Sequence, residues 1–276
     1  MENFRWKDTV RVNILVLKLV GLWPRGTGKY QFDFYTLYSA ILLLLFMAMH
    51  TVVLTGTLFA VYTDLEAVTE VIFMYGLETL LLFKAYCFVR NMSVIKEIMA
   101  EMKCELFQPK SLEQVALVRP GLKEWTLTYT VFSTSMVSNI FFWTFYPILD
   151  GSVKERRLPF LARYPYDFKK SPFYELTYLH QIVSVGLMSV AAINMDMFLG
   201  ALMTLVGAQC RLLCDNLRKI EGCDFSREFL RCVRHHKTIL RVVDHFSRFF
   251  SLIIMGQLLT SAMSIGLAMF HLTLVS

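Results

Sequence analysis

Charged residues are scarce in this chain: Asp, Glu, Lys and Arg together make up 18% of its 276 residues. A soluble domain of this size carries about a quarter charged residues. The deficit is concentrated in long apolar blocks, and 55% of the residues are hydrophobic, with a mean hydropathy of +0.49. This clustering argues against an ordinary soluble domain and predicts an integral membrane protein.

The sequence also lacks the motifs of enzymes and of nucleic-acid-binding proteins. It has no Gly-rich phosphate loop, no Gly-x-Ser-x-Gly and no paired carboxylates in a predicted cleft. His235 and His236 are adjacent, and Cys232 is the one further potential metal ligand at helical spacing from His235. A single Cys–His pair is too few ligands for a closed zinc site, so we interpret the two histidines as part of a solvated helix. We predict no catalytic site, no metal and no cofactor.

Five stretches are apolar enough to cross about 30 Å of hydrocarbon, which requires about 20 residues of helix. Within lipid they must be helical, because only a helix satisfies all of its own backbone groups. The fold class predicted is therefore all-α, a polytopic membrane helical bundle. The predicted spans are 34–62, 67–89, 126–149, 172–205 and 249–275.

Basic residues lie mainly in the connections between these spans, and the net charge is +6. By the positive-inside rule this places residues 1–33, a basic amino-terminal segment, in the cytosol. The basic connection 150–170 is an exception, because the parity of the spans places it outside. Contact with the lipid bilayer, rather than with nucleic acid, accounts for this charge.

Helical periodicity continues beyond the fourth span toward Ile220, with a break predicted at Gly222. A second helix is predicted to begin near Ser226 and to run directly into the fifth span. The bundle is therefore expected to carry helical extensions into the cytosol.

Three groups of residues, in order along the chain, resemble motifs of the insect odorant receptor family. One follows the first apolar run, the second precedes and enters the fourth span, and the third lies on the helix that runs into the fifth. The residues are Gly21-Leu22-Trp23-Pro24; Leu158-Pro159-Phe160, Tyr164-Pro165-Tyr166-Asp167, Ser171-Pro172-Phe173-Tyr174, Tyr178 and Gln181; and Cys232-Val233, His236, Ile239-Leu240, Phe246-Ser247, Gln257 and Ser261.

This resemblance implies a seven-helix receptor of the plasma membrane with a cytosolic amino terminus. Family members form tetrameric cation channels with a co-receptor subunit and open on binding odorants. The resemblance thus implies a tuning-type subunit that binds small volatile apolar ligands in olfactory neurons. With about five spans of the expected seven, residues 34–276 would form a receptor domain that stops before the pore helix. An alternative expectation is therefore a truncated receptor that does not conduct ions.

The resemblance also places an odorant pocket in the outer half of the bundle, where aromatic and Met side chains provide an adaptable apolar lining. A contact between Glu78 and Lys84 is conceivable although six residues separate them, and Lys84 can extend toward the inner membrane surface. The candidate pocket residues are Phe73, Met74, Tyr75, Glu78, Met136, Val137, Ile140, Phe141, Tyr178, Ile182 and Gly186.

Three other classes of membrane protein share this apolar pattern. A transporter should show Gly- or Pro-broken helices in corresponding halves, and the first, second and fifth spans contain no proline. A G-protein-coupled receptor requires an outside amino terminus and typically Asp-Arg-Tyr at the inner end of the third span, and neither is found. A gustatory-type receptor of the same fold remains an alternative, although the loop before the fourth span favours an odorant receptor.

Overall fold

The computed structural model describes residues 4–26, 30–220 and 224–275, and all of the regular structure in these ranges is helical. Short 3₁₀ turns at Trp6–Val10, Glu105–Phe107 and Ser152–Glu155 link the longer elements. The helices are α1 (Arg11–Leu19), α2 (Phe34–Ala60), α3 (Leu65–Arg90), α4 (Met92–Glu101), α5 (Leu112–Leu149), α6 (Phe173–Arg218) and α7 (Phe225–Val275).

Four helical segments in the described part of the chain are long and apolar enough to cross a membrane. They are Phe34–Ala60, Leu65–Arg90, Phe173–Arg218 and Phe250–Phe270, and they overlap four of the five predicted spans. The remaining predicted span, 126–149, is the carboxyl-terminal part of α5. It is helical as predicted, but it is not among these four segments, and its passage through the membrane stays a prediction.

Hydroxyl side chains are among the polar residues that lower the apolarity of α5. Thr126, Thr128 and Thr130 each donate to the carbonyl four residues earlier, at 2.9 Å. Such local bonds satisfy the hydroxyl donors without a partner from another helix. Hydropathy values therefore overstate the polarity of these threonines when the helix is surrounded by lipid.

Helix α2 contains a π-helical segment, Leu42–Ala48, that the sequence did not predict. The carbonyl of Leu45 lies 3.0 Å from Nε2 of His180 on α6. A π segment changes the intrahelical hydrogen-bond pattern, and it is common near functional sites. Here its backbone is joined directly to a second membrane helix.

The predicted helical extensions are present. α6 continues without a break to Arg218, and α7 starts at Phe225, ahead of its apolar part. Gly222, the predicted break, lies outside the described residues.

Where the two extensions meet, the carbonyl of Phe107 accepts from Trp6 Nε1 at 3.1 Å and from Gln209 Nε2 at 3.3 Å. Gln209 Oε1 in turn lies 3.2 Å from His235 Nε2. The prediction that both histidines are solvated is therefore wrong for His235, which is 2% exposed, and His236 alone is on the surface.

The amino-terminal motif packs into the same base of the bundle. The Trp23 ring makes edge contacts with Phe198 at 5.4 Å and lies 6.4 Å from Phe88. Lys96 of α4 lies over the Trp23 ring and donates to the carbonyls of Pro24 and Gly26. Residues of the segment before α2 are thus part of the core rather than a loose tail.

At Gly200 the backbone of α6 packs against the ring of Trp125 on α5. A Cβ at this position would lie 2.6 Å from the ring of Trp125. We expect Gly200→Ala to destabilise the protein by about 1–3 kcal/mol, because the ring has to move. Thermal unfolding of the purified protein in detergent measures the change.

Gly56→Ala is the matched control, because a Cβ there meets nothing within 4 Å. It should be neutral or stabilising, since alanine favours a helix over glycine by about 1 kcal/mol. Equal melting temperatures for the two variants would contradict the close contact of Trp125 with Gly200.

His235 predicts a dependence of stability on pH. Burial, reinforced by the positive charges of Lys110 and Arg231, lowers the pKa of His235 to about 4. The unfolded chain takes up this proton near pH 6.5. The stability is therefore fully present above about pH 6.5 and is lost as the pH falls toward about 4, by about 2 kcal/mol at pH 5.

We expect His235→Gln to lose less stability between about pH 7 and about pH 5 than the unaltered protein. His236→Gln should leave the slope unchanged, since its side chain is on the surface. Melting temperatures across this range give both slopes, and parallel slopes for the protein and His235→Gln would rule out the buried neutral imidazole.

Candidate ligand-binding site

A cavity of about 440 Å³ lies between α3, α5 and α6. Its wall is apolar and aromatic, with a few polar side chains. Ligand pockets typically enclose about 300–1,000 Å³ and have this kind of lining. The lining residues are Phe73, Met74, Leu77, Met136, Asn139, Ile140, Trp143, Thr144, Phe160, Ile182, Val185, Gly186, Ser189, Ala192 and Ile193.

Phe160 comes from the loop between α5 and α6 and covers one part of the cavity. Its ring stacks on Trp143 at 5.4 Å. Gln181 fixes its backbone from both sides: Phe160 N donates to Gln181 Oε1 at 3.2 Å, and Gln181 Nε2 donates to the Phe160 carbonyl at 3.1 Å. Because this side chain satisfies both backbone groups, the loop is held in place over the helices.

Six of the eleven predicted pocket residues line this cavity. Two are on each of the three helices, and they approach from different directions. They are Phe73 and Met74 on α3, Met136 and Ile140 on α5, and Ile182 and Gly186 on α6.

The other five predicted residues lie elsewhere. Tyr75 lines a different cavity between α3 and α7. Val137 and Phe141 are on the outer face of α5 and are 60% and 55% exposed. Tyr178 donates from its hydroxyl to the carbonyl of Thr144 at 2.8 Å and joins α6 to α5. Glu78 lines a neighbouring, more polar cavity.

Helical spacing could have revealed some of the lining residues that sequence reasoning missed. Trp143 follows Met136 and Ile140 at positions i+7 and i+3 on one face of α5. Ser189 and Ile193 continue the face of Ile182 and Gly186 in the same way. Phe160 carries no such signal, because a loop residue reaches the cavity only through tertiary packing.

A second cavity of about 290 Å³ adjoins the first. The two share part of their lining, including Met74, Leu77 and Ser189. Unlike the first, the second cavity is lined by ionisable and amide side chains that come from α3, α6 and α7. The polar lining residues are Glu78, Lys84, Ser189, Asp196, Gln257, Thr260 and Ser261.

Lys84 and Asp196 form an ion pair in this second cavity, with Nζ and Oδ1 2.5 Å apart. Gln257 bridges the pair: its Oε1 is 3.4 Å from Lys84 Nζ, and its Nε2 donates to Asp196 Oδ2 at 3.3 Å. The Lys84 side chain is 5% exposed. The prediction that Lys84 extends to the membrane surface is therefore wrong, because a closer carboxylate satisfies its charge inside the bundle.

Glu78 does not contact Lys84 either. Its carboxylate lies 2.8 Å from His50 Nδ1 and accepts from Thr51 Oγ1 at 3.0 Å, both on α2. The residues that satisfy Glu78 thus come from the preceding helix, which the spacing between Glu78 and Lys84 could not reveal. His50 Nε2 is buried and has no hydrogen-bond partner in the structure.

In the described ranges, no three His, Cys, Asp or Glu side chains lie close enough together to hold a metal ion. The geometry is instead that of a helical membrane protein with a small-molecule cavity inside the bundle, roofed by a loop. This combination defines the class as a multi-pass helical membrane protein with an internal cavity.

Comparison with known proteins assigns the family. Residues 64–276 match the family model described as 7tm Odorant receptor. The chain is 25% identical over 258 residues to odorant receptor Or1 of Anopheles gambiae, covering 89% of this chain and 60% of that protein. The chain therefore belongs to the odorant receptor family, a family of receptors rather than enzymes.

Solved structures show the same fold. The insect olfactory receptor OR5 from Machilis hrabei superposes with a TM-score of 0.79 in its complex with eugenol, and a second structure of OR5 superposes with a TM-score of 0.74. In both cases the identity is 14%, and the match covers 96% of this chain and 71% of the other. The chain spans 60% of the length of the Anopheles relative that it matches.

The ion pair predicts a large effect of Asp196→Ala. Removing the carboxylate leaves Lys84 buried and uncompensated, which costs about 3–5 kcal/mol. The double variant Lys84→Met, Asp196→Leu should recover most of this loss, because no charge remains to be paired. Thermal unfolding in detergent measures all three proteins.

Asp244→Ala is the control for loss of a carboxylate. Asp244 pairs with Arg248 at 3.0 Å on the surface of α7, and such exposed pairs contribute below about 1 kcal/mol. An Asp196→Ala protein as stable as Asp244→Ala would show that Lys84 is not held by Asp196.

Proposed function

We propose that this chain is an odorant receptor subunit and that the cavity between α3, α5 and α6 binds small, volatile, apolar ligands. The observation that carries the proposal is the lining of that cavity. Phe73, Trp143 and Phe160 provide aromatic surface, and Met74 and Met136 provide flexible side chains. Such a wall recognises shape and apolar area by dispersion, with few directional contacts.

The few polar groups in the wall limit the ligand class further. Asn139, Thr144 and Ser189 are neutral, so they can exchange hydrogen bonds with a hydroxyl or carbonyl group. They offer no charge to compensate an ionised ligand, which would have to be desolvated on entry. Uncharged alcohols, phenols, esters and ketones with an apolar body fit this lining best.

We further propose that the subunit acts with a co-receptor subunit in a cation channel at the plasma membrane, with its amino terminus in the cytosol. Family membership supports the assembly. The basic residues around α1 support the orientation, because positive charge is retained on the cytosolic side. Odour-evoked current on co-expression with a co-receptor tests this part, and absence of current together with preserved ligand binding would overturn it.

Ligand binding itself is tested by filling the cavity. Gly186 lines the cavity and a Cβ there meets nothing within 4 Å, so Gly186→Phe directs a ring into the cavity. We expect this variant to bind at least about tenfold more weakly, because the ring occupies volume that a ligand needs. The fluorescence of Trp143 on titration with eugenol, 1-octanol or an acetate ester reports binding.

Leu179→Phe is the matched control on the same helix. Leu179 is 58% exposed and lies outside the cavity, so the substitution should leave binding unchanged. Trp143→Phe should abolish the signal while binding remains detectable by displacement of N-phenyl-1-naphthylamine. Unchanged affinity in Gly186→Phe, or no binding of any of these compounds, would refute the cavity as the site.

A further inference from the structure

A polar cavity of about 300 Å³ lies between α5 and α6, apart from the proposed ligand site. It is formed by the earlier part of α5 and the later part of α6, on the side of the Trp125–Gly200 contact that leads to the basic connections. The lining residues are Val118, Gly121, Leu122, Glu124, Trp125, Thr128, Thr204, Gly207, Ala208 and Arg211.

The predicted span bounds put this cavity at a membrane surface. The predicted third span begins at residue 126 and the predicted fourth span ends at residue 205, so the cavity contains the point where both helices leave the apolar region. Tryptophan is enriched at this level of a bilayer, because its ring is apolar and its N–H is polar. The same predicted bounds place Trp125 at the level of lipid headgroups.

Arg211 brings a positive charge to the cavity. Among the residues described, no carboxylate lies within ion-pairing distance of its guanidinium. The side chain nevertheless leans back across α5: a Cβ at Gly121 would lie 3.0 Å from its Nη1. Arg211 is exposed where it lines the cavity, and its guanidinium lies beside Gly121 with donors left for a bidentate acceptor such as phosphate.

Glu124 brings the opposite charge to the same cavity. Its carboxylate has no ion-pair partner in ranges 4–26, 30–220 and 224–275. The two charges line one space of about 300 Å³ without pairing with each other. An anion alone would be attracted by Arg211 and repelled by Glu124. A cation alone would be attracted by Glu124 and repelled by Arg211.

A ligand with both charges satisfies both residues, and at this depth the zwitterions present are phospholipid headgroups. We propose that the cavity binds the phosphoethanolamine headgroup of a phospholipid, with Arg211 donating to the phosphate and Glu124 accepting from the ammonium. The Trp125 ring adds a cation–π contact to the ammonium. The acyl chains of the lipid remain in the bilayer beside α5 and α6.

Phosphatidylethanolamine fits better than two related lipids. The ammonium of ethanolamine carries N–H donors for Glu124, whereas the choline headgroup has none. Phosphatidylglycerol keeps the phosphate but leaves Glu124 without a cation and adds its own net negative charge. The order of affinity expected is phosphatidylethanolamine, then phosphatidylcholine, then phosphatidylglycerol.

Native mass spectrometry of the full chain in detergent, titrated with each lipid, measures this order. Arg211→Gln should weaken phosphatidylethanolamine binding at least about tenfold, as expected for loss of a charge-assisted contact. Glu124→Gln should weaken phosphatidylethanolamine binding and leave phosphatidylglycerol binding equal or stronger. Arg241→Gln, an exposed arginine of α7 outside the cavity, controls for net charge and should change nothing.

These titrations distinguish a headgroup site from a simple anion site and from a general effect of net charge. Equal binding of all three lipids, or an Arg211→Gln protein that binds like Arg241→Gln, overturns the proposal. Binding of inorganic phosphate as strong as that of the lipid would show an ion site only and would also overturn it.

Gly121→Val, which occupies the cavity beside Arg211, should reproduce the loss of phosphatidylethanolamine binding without removing a charge. The proposed odorant site is not involved, so eugenol binding should be unchanged in the Arg211 and Glu124 variants.

Discussion

The pairing of Lys84 with Asp196 inside the apolar bundle constrains the rest of the structure. A charge among hydrocarbon side chains is costly unless a partner meets it at close range. The 2.5 Å contact joins α3 to α6, and Gln257 joins α7 to both residues. Because hydrogen bonds require a defined distance and direction, these three side chains fix the relative height and rotation of three helices. Apolar packing alone would tolerate sliding of one helix along another.

The two adjoining cavities follow from this arrangement. The ionic cluster and Glu78 line the second cavity, whereas mainly apolar side chains line the first. Separating charge from the apolar wall keeps that wall available to ligands that cannot compensate a charge. The loop that carries Phe160 then closes the apolar part through Gln181. The polar cluster and the apolar cavity thus share α3 and α6, whereas α7 contributes only to the former and α5 only to the latter.

Along the α5–α6 interface, the contact of Trp125 with Gly200 divides the molecule into two chemically different parts. Beyond it on one side lies the cavity lined by Trp143 and Ile182, and on the other lies the polar cavity with Glu124 and Arg211. A small residue at position 200 allows the backbone of α6 to approach the ring. At the base of the bundle, Phe107 and His235 contact each other and join the extensions of α6 and α7 to the amino-terminal segment.

By itself the sequence determined the helical class, the positions of the long helices and the family. A long apolar stretch must be helical in lipid, and helical periodicity extends α6 and α7 beyond their apolar parts. Apolar length and periodicity are both local properties that can be read along the chain. Met136, Ile140, Ile182 and Gly186 were predicted from the depth at which the resemblance places the pocket, and Val137 and Phe141 at the same depth proved to be on the outer face. Only the tertiary structure decided which charges pair, because Asp196 reaches Lys84, and His50 reaches Glu78, from distant parts of the sequence. The same holds for Phe160 over the cavity and for His235, which is buried by α6 rather than solvated. These outcomes depend on how helices are rotated against one another, and no local pattern of residues encodes that rotation.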